Sequence, residues 1–261
     1  MKKTTILLHN HNNKSCTPNT CNRKFNIFSI FLFLACIGLC VILLLPQTKI
    51  PVLSGKFFLK NMKKNTSPQF TIVIDPGHGG RDPGKVGTAG TLEKDINLQI
   101  ALYLKEILES QDIKVIMTRT EDKDLSTATT NFKISDMKER VSLLQKSNAD
   151  LVISIHQNSY TDPKVYGAQC FYHTNSTEGK ELASIIQNKI ITATKQTKIR
   201  EIKSNNDYYL LKHSPVPTVI AECGFLSNPK EEQLLITDTY QRKMAWAIHL
   251  GILQYLNNEI K

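Results

Sequence analysis

Hydrophobic and polar positions follow two periodicities along this chain, and each predicts a different kind of element. Short apolar runs rich in β-branched residues predict strands at 70–75, 113–118, 151–156, 167–173 and 218–223. Apolar residues at helical spacing predict four amphipathic helices, which begin near Lys94, after the N-cap Ser135, and at Glu178 and Tyr240. Strands that alternate with crossover helices predict an α/β domain, with a mostly parallel, twisted sheet flanked by helices on both faces.

The longest apolar run, residues 25–45, contains 21 residues and no charged side chain. Such a run is long enough to span a bilayer. A cleaved signal peptide would have a shorter apolar region and a small-residue cleavage site, which residues 46–55 supply poorly. We therefore expect an uncleaved transmembrane signal anchor. Basic residues flank the run on both sides, so the positive-inside rule does not orient it.

The charge of the chain is concentrated before the predicted domain. The formal net charge is +10, yet no Asp or Glu precedes Asp75, and ten Lys and Arg residues precede Thr71. Lys and Arg beside anionic head groups are favourable, so this charge indicates a membrane partner and no nucleic acid. The predicted organisation is a basic tail (1–24), the anchor (25–45), a basic stalk (46–69) and one catalytic domain (70–261).

Three polar residues stand where ligands gather in open α/β sheets, beyond the carboxyl ends of strands. His78 lies in a loop rich in Gly and Pro after the first strand, His156 ends the third strand, and Glu93 precedes the first helix. Taken singly, they have ordinary explanations: a turn histidine, a core histidine and an acid that interacts with a helix dipole. Together, two imidazoles and one carboxylate are the set typical of catalytic zinc, with a fourth position open for water. Hydrolysis of an acyl bond is the natural chemistry of such a site.

Glu222 interrupts the apolar fifth strand, where the burial of a carboxylate requires an explanation. One explanation is a buried acid paired with Lys or Arg. The other is a general base beside the metal, because partial desolvation gives a carboxylate a pKa suited to proton transfer.

Four phrases resemble the zinc-dependent N-acetylmuramoyl-L-alanine amidases of the type-3 amidase family: TIVIDPGHGGRDPGKVG, TLEKDINLQIALYLKEIL, ADLVISIHQNS and PTVIAECGFLSNPKEEQLL. The resemblance covers roughly Phe70 to the C-terminus. It implies one Zn²⁺ held by His78, Glu93 and His156, with Glu222 as general base or transition-state stabiliser. The implied substrate is the amide between muramic acid and L-alanine in peptidoglycan.

Two further residues are candidates for orienting that substrate. Asn158 lies just beyond His156, and Arg140 lies on the second predicted helix. For Arg140 the alternative is a charged side chain that faces solvent.

The run ECGFLSNPKEE, the run 166–172 and the N-terminal anchor are most similar to the sporulation-specific cortex amidases of endospore formers. That resemblance implies an extracytoplasmic enzyme that strips stem peptides before a separate deacetylase completes muramic-δ-lactam, the mark used in germination. A lipoprotein regulator is a candidate partner. The alternatives are a vegetative or cell-separation amidase, an inactive wall-binding module, and a zinc peptidase or deacetylase on the same scaffold.

Overall fold

The computed structural model describes residues 70–259 of the 261-residue chain. In chain order its elements are β1 (Thr71–Pro76), α1 (Glu93–Glu109), β2 (Lys114–Met117), α2 (Phe132–Lys146), β3 (Leu151–Asn158), β4 (Gln169–His173), α3 (Thr177–Thr194), β5 (Lys203–Asn205), α4 (Tyr209–His213), β6 (Thr218–Phe225), α5 (Pro229–Leu235) and α6 (Asp238–Glu259). The predicted tail, anchor and stalk lie outside the described residues. Among the described helices, none combines the length and apolar character that a membrane span requires.

The described strands form one mixed sheet in the order β2-β1-β3-β6-β4-β5. The first four are parallel to one another, whereas β4 runs antiparallel to β6, and β5 is parallel to β4. The prediction of a mostly parallel sheet is therefore correct for the core of the sheet and wrong for β4. The cause is the link between β3 and β4, because residues 159–168 contain no crossover helix and return the chain at the edge where β3 ends.

Helices cover both faces of the sheet, as predicted, but to different depths. One face packs Ile72, Ile153 and Val219 into a large core with α1, α3 and α6. The other face carries Val73 and Val152, which pack in a small cluster against α2 and α4.

All four predicted helices begin earlier along the chain than predicted, and two of these differences concern residues singled out from the sequence. Helix α2 begins at Phe132 after Asn131, which has a left-handed φ of 51°, and the backbone N–H of Ser135 already bonds to the Asn131 carbonyl at 3.1 Å. Ser135 is therefore a helical residue and not the N-cap. Helix α1 begins at Glu93 itself, so the candidate ligand occupies the first helical position.

Candidate active site

The central parallel strands bring the predicted site residues to one edge of the sheet. His156 of β3 and Glu222 of β6 are Cα partners in the register of those strands. His78 lies in the loop after β1, which pairs with β3 on the other side. His78, Glu93 and His156 each offer one ligand atom, and these atoms lie within 4.8 Å of one another. The structure therefore brings together side chains that are far apart in sequence.

Glu93 is the centre of this cluster. Its side chain is only 2% exposed, and its two oxygens lie 3.2 Å from His78 Nε2 and 2.9 Å from His156 Nδ1. It also accepts backbone N–H groups from Lys85 at 2.7 Å and Gln157 at 3.0 Å. These bonds fix both carboxylate oxygens, so the first turn of α1 and the loop before it form one unit.

The charges in the cluster support one another. Burial disfavours the ionised form of Glu93, but hydrogen bonds and charge from His156 and His78 outweigh it and hold its pKa well below the usual range. Burial lowers the pKa of His156, but the hydrogen bond and charge of Glu93 reverse this effect and raise it to about 9. Ligation requires a neutral imidazole, so binding of a metal ion here would be coupled to proton release.

His78 is oriented by a carboxylate that the sequence reasoning did not single out. Its Nδ1 lies 2.7 Å from Asp82 Oδ2, which leaves Nε2 facing Glu93. A carboxylate behind the ligating imidazole is the usual way to fix its tautomer and ring orientation. The spacing of four residues between His78 and Asp82 within the loop is the signal that would have indicated this pair.

Close packing at the site explains two of the loop glycines. A side chain at Gly77 would overlap the ring of His156. At Gly84, where φ is 69°, a Cβ atom would lie 2.6 Å from Glu93 Oε2 and 2.7 Å from His78 Cδ2. The candidate ligand residues approach the backbone so closely that only glycine fits at these positions.

Glu222 lies buried beside this cluster, at 8% exposure. Its Oε2 atom has no hydrogen-bond partner within residues 70–259, and the ion pairs of those residues do not include it. Burial raises its pKa to about 7, against the attraction of His156. The alternative of a structural acid paired with Lys or Arg is therefore not what the described structure contains.

The structure excludes the solvent-facing alternative that the sequence left open for Arg140. It is 1% exposed, so it does not face solvent, and its guanidinium bonds to Asp75 Oδ1 at 2.6 Å and to the His78 carbonyl oxygen at 2.6 Å. The residue thus lies beneath the His78 loop, where it contacts the scaffold of the site. Asn158 directs its side-chain oxygen at the N–H of Ser159, 2.8 Å away, within its own turn.

The geometry of the cluster fits one small cation. Zinc–nitrogen and zinc–oxygen bonds of about 2.0–2.2 Å in a tetrahedron place neighbouring ligand atoms roughly 3.3 Å apart. The closest nitrogen–oxygen separations in the cluster are 3.2 and 2.9 Å, to different oxygens of Glu93, and one ligand atom from each of the three residues lies within 4.8 Å of the others, so small side-chain adjustments would bring the set to these distances. Imidazole and carboxylate donors also suit zinc better than calcium or magnesium, which prefer oxygen ligands alone.

Comparison with known proteins points to the same family that the sequence motifs resemble. The profile of the family described as N-acetylmuramoyl-L-alanine amidase matches residues 72–254. The germination-specific N-acetylmuramoyl-L-alanine amidase of Bacillus subtilis (strain 168) is 40% identical over 192 residues, which are 72% of this chain and 80% of that protein.

Two solved structures from clostridia share the fold. The CwlD amidase of Clostridioides difficile, solved in complex with the GerS lipoprotein, is 44% identical, with a TM-score of 0.70 over 72% of this chain and 98% of that one. An N-acetylmuramoyl-L-alanine amidase of Clostridium difficile 630 is 38% identical, with a TM-score of 0.67 over 73% and 98%. The match therefore covers nearly all of each of these two solved chains.

Proposed function

This chain belongs to the N-acetylmuramoyl-L-alanine amidase family, and we propose that it cleaves the amide between N-acetylmuramic acid and L-alanine with one zinc ion held by His78, Glu93 and His156. The observation that carries the zinc assignment is the convergence of these three side chains within 4.8 Å. Zinc bound there would supply a Lewis acid for the substrate carbonyl and an activated water.

Glu222 is the proposed general base. Its unpaired, buried oxygen can accept a proton from the attacking water and deliver it to the alanine nitrogen as the carbon–nitrogen bond breaks. A base is most effective when its pKa lies near the working pH. Burial raises the pKa of Glu222 to about 7. Asp82 and Glu93 keep the imidazole of His78 in the orientation that this arrangement requires.

Digestion of purified peptidoglycan, followed by mass analysis of the products, tests this proposal. An amidase releases free stem peptides and leaves their crosslinks intact. A zinc peptidase would change the crosslinks, a deacetylase would release acetate, and an inactive wall-binding module would bind without releasing peptide. The Glu222→Gln variant is the matched control, since it keeps the three ligand candidates and removes the base. Absence of free stem peptides with the zinc-loaded wild type would refute the proposal.

The biological setting that we favour is maturation of the spore cortex, ahead of muramic-δ-lactam formation and germination. It is supported by 40% identity to a relative named germination-specific. A strain that lacks this protein should make spores whose cortex has no muramic-δ-lactam and which germinate poorly. Normal cortex together with chained or slowly separating cells would instead favour the vegetative or cell-separation role.

Membrane attachment through residues 25–45, with the catalytic domain outside the cytoplasm, is the proposed location. The support is the length and uncharged character of that run. A lipoprotein regulator is the proposed partner, because the similar CwlD amidase was solved with one. Fractionation of cells that express the whole chain, or a chain without residues 1–48, tests the anchor. Co-purification of a lipoprotein with the extracted whole chain tests the partner.

A further inference from the structure

Two arginine side chains lie beneath the loop that presents His78. Arg119 is 2% exposed and Arg140 is 1% exposed. Arg119 donates to the carbonyl oxygens of Pro76 and Gly77, both at 3.0 Å, and Arg140 to those of Pro76 at 2.9 Å and His78 at 2.6 Å. Three consecutive carbonyl groups of the loop are therefore bound by two buried guanidinium groups.

Arg119 is costly to bury. The ion pairs within residues 70–259 do not include it, and its remaining hydrogen bonds go to the carbonyl oxygens of Lys94 at 2.8 Å and Glu121 at 3.2 Å. Arg140, by contrast, pairs with Asp75 at 2.6 Å and with Asp136 at 2.7 Å. A buried cation that contacts only neutral partners is compensated less than one in an ion pair, although Asp75, Asp122 and Asp95 attract Arg119 without direct contact. A position with such a cost needs a reason other than stability.

The reason lies in the backbone that these arginines hold. His78 has a φ of 61°, a left-handed conformation that is unfavourable for a residue with a side chain. Binding the carbonyls on either side of His78 fixes the peptide planes that set the direction of its Cβ atom. The same loop carries Gly77, whose α carbon packs against the ring of His156. Displacement of the loop would thus disturb both imidazoles.

We propose that Arg119 and Arg140 are positioning residues that set the zinc affinity of the site by locking the backbone of residues 76–78. The inference rests on the zinc site of the proposed function. The planar fork of a guanidinium reaches two carbonyls at once, which a lysine ammonium does not do with the same geometry. Arg119→Lys and Arg140→Lys keep the charge but lose this fork. We expect each to weaken zinc binding by about 10- to 100-fold, the usual range for partners behind the ligands.

The experiment uses the full chain purified in detergent, stripped of metal and titrated with zinc against a fluorescent chelator. The visible spectrum of the cobalt-loaded protein reports ligand geometry separately from affinity. Gln187→Met is the matched control, because buried Gln187 donates to the Ala168 carbonyl at 3.0 Å and accepts from Cys170 N–H at 2.7 Å, and neither bond involves residues 76–78 or a candidate zinc ligand. This control should lower the unfolding temperature and leave zinc affinity and the cobalt spectrum unchanged.

The outcomes distinguish failure of the positioning role from failure of the proposed function. Wild-type protein that binds no zinc would refute the proposed function. If wild type binds zinc and folded Arg119→Lys and Arg140→Lys bind it equally well, the positioning role is refuted. The same conclusion follows if Gln187→Met loses as much affinity, or if both arginine variants stay unfolded at saturating zinc, since the arginines would then serve the fold alone.

Discussion

Replacement of Gly84 by alanine should damage the metal site more than the fold. The new Cβ atom would lie 2.6 Å from Glu93 Oε2, whereas ordinary contact begins near 3.4 Å, so the carboxylate or the loop must move by about 0.8 Å. Zinc–ligand distances tolerate about 0.2 Å. A displacement several times larger should lower zinc affinity by about 10- to 100-fold, the range for disturbed surroundings of metal ligands. The left-handed φ of 69° adds a folding cost of about 1–2 kcal/mol.

Gly90→Ala separates these two effects. Gly90 also has a left-handed φ, 86°, but a Cβ atom there would meet no heavy atom within 4 Å. Both variants should therefore lose about 1–2 kcal/mol of stability, and only Gly84→Ala should lose zinc and peptidoglycan hydrolysis. Thermal unfolding and chelator competition measure the two quantities on the same samples. Equal zinc affinity in the two variants would refute the claim that close contact with Glu93 excludes a side chain at Gly84.

Three further predictions concern other residues of the site. Glu222→Gln should reduce hydrolysis by about 10²- to 10⁴-fold and leave zinc content unchanged, and undiminished turnover would remove its assignment as the base. Asp82→Asn should weaken zinc binding about 10-fold in a chelator titration, because Nδ1 of His78 loses its carboxylate partner; unchanged affinity would contradict this. Burial raises the pKa of Asp75, but Arg140, Ser154 and Thr118 outweigh it and lower the pKa to about 2. This lowered pKa stabilises the fold above pH about 4, and the stabilisation is lost as pH falls towards about 2. Metal-free Asp75→Asn should show a shallower acid dependence in equilibrium unfolding, and an identical slope would refute it.

The alternation of strands and helices was predictable because each element has a sustained apolar pattern. All five predicted strands are present, and the structure confirms the α/β domain with helices on both faces. The elements that were missed are short or polar, namely β5, α4 and α5. A three-residue strand of Lys, Ser and Asn has no periodicity to detect. Helix α5 did carry a signal, since Asn228 caps it and Pro229 begins it.

The convergence of His78, Glu93 and His156 was predictable from their places at strand and helix ends, and the structure confirms it; their role as ligands stays a prediction. The burial of Arg140 was not predicted, although its spacing from the apolar residues of α2 indicated it. Arg140 lies three residues after Met137 and four before Leu144, on the apolar stripe of α2 that faces the sheet. Hydropathy alone assigns a charged residue to solvent. The compensating partner, Asp75, is 65 positions away, so the pair becomes visible only in the folded structure.

The direction of β4 matters for the site more than for the fold class. Because β4 returns from the edge where β3 ends, Gln169 pairs with Glu222, and the loop 159–168 lies at the same edge as the candidate ligands. A parallel β4 would have needed a crossover to the opposite edge. Helix α5 then holds two separate loops through its two adjacent glutamates. Glu231 accepts the N–H of Gly167 at 3.0 Å, and Glu232 accepts that of Ala89 at 3.0 Å, in the turn before Glu93. The run of residues after Glu222 therefore anchors the two loops that border the site, which explains why two adjacent acids occur there that form no ion pair within residues 70–259.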